Sequence, residues 1–112
     1  MEISAEDLPK IVWPNGNARP MLQIDIGLER LSEILNIDYF KDRDDLDNFL
    51  GAALASTPLG PLFFQDYENA PVKGVVAYGD VKASPGAVAD MFVRDFGIPN
   101  ELFIWIAAEG AQ

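Results

Sequence analysis

Residues 72 to 107 constrain the fold more than any other stretch of the chain. Ser84 followed by Pro85 is the favoured pair for the N-cap and first turn of a helix, and Gly97 followed by Pro99 marks a helix end. Between these signals Val88, Met91, Phe92 and Phe96 recur at helical spacing and give the helix one apolar stripe. Asp90 and Arg94 lie four apart on the opposite side, where they can pair. The preceding run from Val72 to Tyr78 is rich in β-branched residues, and the following run, Leu102-Phe103-Ile104-Trp105-Ile106-Ala107, is apolar on both alternating faces. The order strand, helix, strand predicts a C-terminal β-α-β unit, with its two strands parallel if they share a sheet. The last run reads as a central strand covered on both sides, with Trp105 in the core.

The remainder predicts more of the same architecture. Ile11-Val12-Trp13 and the run Met21 to Ile26 flank the turn signal Pro14-Asn15-Gly16-Asn17, as the strands of a hairpin would. From Gly27 to Asn36 the apolar positions Leu28, Leu31, Ile34 and Leu35 have helical spacing, with Glu29, Arg30 and Glu33 on the other face. Leu46, Phe49, Leu50, Ala53 and Leu54 predict a second helix, capped by Asp44, with Asp45 and Asp47 in its first turn and its end near Ser56-Thr57-Pro58. Leu62-Phe63-Phe64-Gln65 reads as a strand that forms a hairpin with the run from Val72. With no repeat or linker dividing it, the chain is expected to be a single α+β domain over residues 1–112. The expected sheet is mixed, of about four or five strands, with three helices. Strands apolar on both faces call for helices on both sides of the sheet or for a second copy of the chain, a homodimer, over one side.

Composition narrows the chemistry. Of 112 residues 49% are apolar and 23% charged, the profile of a folded globule. Cysteine and histidine are both absent. That removes disulfides, the thiol nucleophile, the imidazole base and most transition-metal sites, and it favours the cytoplasm. The start, Met1 to Asp7, lacks the basic and apolar segments of a secretory signal. The longest apolar run, Leu102 to Ala108, is far shorter than the ~18 residues of a membrane span, so no membrane partner is expected.

The formal charge is −10, from 18 acidic and 8 basic residues. Such a field repels phosphate backbones, which disfavours nucleic acid, and speeds encounter with a basic protein in a salt-dependent way. The densest acidic run spans Asp38 to Asp47. Its Asp42-x-Asp44 start fails as a calcium loop: Leu46 stands at the fifth position, glycine is missing at the sixth, and Ala53 occupies the place of the bidentate glutamate. Ser84-Pro85-Gly86 lacks the lysine and glycine spacing of a phosphate loop. No metal, cofactor or catalytic residue is therefore expected.

The acidic run instead offers Asp38, Tyr39, Asp42, Asp44, Asp45 and Asp47 as a docking surface, with Tyr39 and Phe40 as aromatic anchors. Asp66, Tyr67 and Glu68 form a second patch of similar make-up. In size and charge the chain resembles bacterial toxin-immunity proteins, which implies a non-enzymatic module that neutralises a basic toxin or enzyme. The alternatives are an accessory subunit or homodimer packed through an apolar sheet face, and a small enzyme using carboxylates such as Asp25, Asp66 or Asp80.

Overall fold

The computed structural model describes residues 17–43, 49–67 and 71–109. The strand expected at residues 11–13 and the acidic residues Asp44, Asp45, Asp47 and Glu68 lie outside them. In chain order the elements are β1 (Ala18–Ile24), α1 (Leu28–Leu35), β2 (Tyr39–Arg43), β3 (Phe49–Thr57), β4 (Gly60–Tyr67), β5 (Val75–Asp80), α2 (Pro85–Phe96), a 3-10 turn (Asn100–Leu102) and β6 (Phe103–Ile106). The fold class is α+β, as the sequence predicts. Among the described residues there are two α-helices, and one sheet of six strands in the order β2-β3-β4-β5-β1-β6. Every paired strand is antiparallel, so the sheet is not mixed.

Of the helix expected from Leu46 to Leu54, the described part, from Phe49 on, is instead strand β3. Its apolar spacing suits a helix, yet Ala53 pairs with Tyr39 on one side and Phe64 on the other, and this pairing outweighs local pattern. The small residues have a use in the strand. A Cβ at Gly51 would stand 2.9 Å from Leu28 Cδ2, so glycine lets α1 lie close on the sheet. Thr57 secures the β3–β4 turn, its hydroxyl donating to Gly60 O at 2.7 Å and accepting from Leu59 N at 3.1 Å.

The β-α-β unit is present in split form. Strands β5 and β6 both run antiparallel to β1, hence parallel to one another, but β1 lies between them. This leaves β6 at an edge instead of the centre, with Ile104, Trp105 and Ile106 exposed. Trp105 is 37% exposed and not a core residue. Its Nε1 donates to Gln23 Oε1 at 2.8 Å, and Gln23 Nε2 donates to Val72 O at 3.0 Å, so a buried glutamine ties the edge strand to the chain before β5.

Strand β1, between β5 and the edge strand β6, is the most deeply buried part of this side of the sheet: Met21, Leu22, Gln23 and Ile24 are all buried. Its register with β5 slips between Pro20 and Leu22, and the bulge brings both Met21 and Leu22 into the main core. That core also takes Leu28 and Leu31 of α1, Val88, Met91 and Phe92 of α2, and Ala53, Phe64 and Ala77 of the sheet. Phe64 is fully buried and meets Phe92 with ring centroids 6.1 Å apart. Both described helices thus share one face. On the opposite face Ala52 and Phe63 form a smaller cluster with Ala18, Tyr67 and Tyr78.

Helix α2 is capped as the sequence predicts: Ser84 Oγ accepts from Ala87 N at 3.1 Å, and Gly97 ends the helix at φ 65°. A carboxylate reinforces the cap, because Glu109 accepts from the Ser84 hydroxyl and from Gly86 N. These bonds, the hydroxyl first and the backbone N–H second, with Arg19 nearby, hold its carboxyl below the ordinary carboxylate pKa.

Phe64→Ala is expected to destabilise the protein by about 3 to 5 kcal/mol, read by urea unfolding. Glu109 has a depressed folded-state pKa, so its contribution is complete above the ordinary glutamate pKa and is lost as pH falls through the folded value. The stability gap between wild type and Glu109→Gln therefore shrinks on acidification through that window in stepped-pH thermal melts; a gap that widens contradicts the clasp.

Candidate functional site

The site is built at the C-terminal end of α1. Leu28 and Leu31 anchor the helix in the core, which turns Glu29 and Glu33 outward, one turn apart. The other end of the helix is well served. Its N-cap position is Gly27, which offers no side chain, and Asp66 of β4 supplies the missing acceptor: Leu28 N donates to Asp66 Oδ2 at 3.1 Å. A carboxylate at a helix N-terminus has the favourable sign.

At the far end the signs are reversed. Asn36 closes α1 in the left-handed conformation at φ 55°, its N–H donating to Glu33 O, while Ile37 N donates to Ser32 O at 3.0 Å. The last turn carries no basic residue, and Asp38 follows two positions after the cap. The negative end of the helix dipole therefore meets Glu33 and Asp38, an arrangement that costs about 0.3 to 1 kcal/mol per charge. Glu29 and Glu33, four apart, repel one another as well. Arg30 reaches Glu33 Oε2 at 3.2 Å, but both partners are largely in water and such a pair contributes little.

These carboxylates border a groove of about 350 Å³ between α1 and the start of β2, lined by Glu29, Ser32, Glu33, Asn36, Ile37, Asp38 and Tyr39. Ser32 is only 3% exposed, and its buried Oγ has no hydrogen-bond partner. Leaving a buried hydroxyl unpaired costs about 1 to 3 kcal/mol. An adjoining hollow of about 570 Å³ shares residues 36–39 and is bordered as well by Phe40, Ala53 and Leu54 at the sheet edge. The combined surface is acidic at one end and apolar at the other. Among the described residues no group of three or more carboxylates is placed to hold a metal ion.

The described residues among those singled out in the sequence have different surroundings. Asp38 is exposed at the groove, and Tyr39 lines it while packing half-buried against the main core. Asp42 lies in β2 opposite Leu50, which in turn pairs with Tyr67 of β4. Tyr67 is half-buried against Ala52 and Phe63 on the second sheet face, and Asp66 caps α1. Of the carboxylates considered for catalysis, Asp25 is exposed after β1 and Asp80 accepts from Lys82 N at 2.8 Å in a turn.

Glu29, Ser32, Glu33 and Asn36 were not singled out by sequence reasoning, which reads the two glutamates as a solvated helix face. The signal available was the wrong-sign charge: acids in the last turn and just beyond it, with no base there. No helix among the described residues is long and apolar enough to cross a membrane. No protein-family model matches the chain, and neither a curated protein nor a solved structure matches it.

Ser32→Ala removes the unpaired hydroxyl and is expected to leave stability unchanged or raise it by about 1 kcal/mol in urea unfolding. A clear loss would mean that the hydroxyl is satisfied in solution.

Proposed function

We propose that this chain is a non-enzymatic, acidic protein-binding module that neutralises a basic partner, as an inhibitor or immunity-type protein does. The observation that carries this reading is the groove at the end of α1, where carboxylates stand against the negative end of a helix with no base in the last turn. A free protein gains nothing from that arrangement, whereas a cationic partner removes its cost on binding. The net charge of −10 adds long-range attraction for such a partner. The dense acidic run of the sequence follows directly, and we assign Asp42, Asp44, Asp45 and Asp47 to the partner surface on that ground.

A second reading has an observation of its own. On the sheet face away from the helices, Phe40 and Leu54 are exposed near Ala52 and Phe63, and Trp105 is exposed beside Gln23. This surface suits an accessory subunit or a homodimer that packs sheet face against sheet face. The two readings differ in their response to salt.

The test is affinity capture from native lysate at low and high salt, followed by association kinetics with the purified partner. The module reading expects a stoichiometric basic protein whose association rate falls about tenfold or more in high salt. It expects a comparable fall when Asp42, Asp44, Asp45 and Asp47 are changed together to Asn. A partner indifferent to salt and to these substitutions favours the apolar face.

A further inference from the structure

We infer that the groove at the end of α1 is a receptor for one arginine side chain of a basic polypeptide. The inference rests on the binding-module reading and names the contact that reading leaves open.

The electrostatics require a cation. Glu33 and Asp38 stand at the negative end of the helix, Glu29 is one turn back, and the only base on α1, Arg30, forms a water-exposed pair of little strength. A compact metal ion is a poor match, since no three carboxylates among the described residues converge as metal ligands do. Acceptors spread around a groove of about 350 Å³ suit a larger, flat cation that bonds along its rim.

Guanidinium has that shape, with five N–H donors in one plane and weaker hydration than an ammonium. The carboxylates of Glu33 and Asp38 and the side-chain oxygen of Asn36 are acceptors on the groove lining. Tyr39, which also lines the groove, supplies an aromatic ring for stacking.

Independent of charge, Ser32 points to a ligand. The residue lines this same groove yet is only 3% exposed, and its buried Oγ lacks any partner. Buried polar atoms are nearly always paired, so an orphan acceptor in a groove bordered by acids calls for an incoming donor.

The experiment is an amide NMR titration of the intact chain with Nα-acetyl-arginine amide, and in parallel with Nα-acetyl-citrulline amide, its neutral near-isostere. Saturable shifts confined to residues 32–40 with the arginine compound, reduced at least about tenfold in affinity in an E33Q/D38N variant, are the expected result. Equal shifts with citrulline, shifts scattered over the acidic surface, or none at all would overturn the inference. The variant's unperturbed spectrum away from the groove establishes that it is folded. The two proposals fail separately. Arginine amide saturating the groove in a protein that captures no basic partner sustains the receptor and sinks the module reading. A basic partner bound equally well by wild type and E33Q/D38N does the reverse.

Discussion

The placement of α1 governs both the fold and the site. This helix of eight residues would be marginal alone, and it is held by burial of Leu28 and Leu31 and by the Asp66 carboxylate at its first N–H. Gly51 leaves room for it to lie close on β3. Once the helix is fixed in this direction, its two ends have opposite fates. The N-terminus receives a carboxylate of the favourable sign, and the C-terminus is left facing Glu33 and Asp38.

Much of the architecture was legible in the sequence, and its failures have physical causes. The caps of α2 were readable because Ser84, Pro85 and Gly97 act through local backbone geometry, which does not depend on the rest of the chain. The β4–β5 hairpin was readable for similar reasons, through aromatic and β-branched runs around a turn. By contrast, the β3 segment satisfies a helical spacing and becomes a strand because partners on both sides complete its hydrogen bonds. Trp105 misled in another way: an apolar run on both faces suggests a central strand, yet β6 is an edge whose indole is held by Gln23, eighty-two positions away in sequence.

The site was legible only in part. Asp38 and Tyr39 could be named because they begin a dense acidic run. The importance of Glu29, Ser32 and Glu33 depends on which face α1 buries and on what β2 places opposite, and neither can be read from α1 alone. Acidic residues in this chain do several jobs. Asp66 and Glu109 each satisfy a helix N-terminus, whereas Glu33 and Asp38 oppose a C-terminus. Net charge therefore says less about function than the few positions where charge works against the fold.

The central claim is that the acidic end of α1 is a cost borne by the free protein. It is tested most directly by urea unfolding of wild type and Asp38→Asn at low salt and at high salt. The account predicts that the variant is more stable by about 0.3 to 1 kcal/mol at low salt and that the difference disappears as salt screens the helix end. A variant less stable than wild type at low salt would mean that Asp38 supports the fold, and would contradict the account.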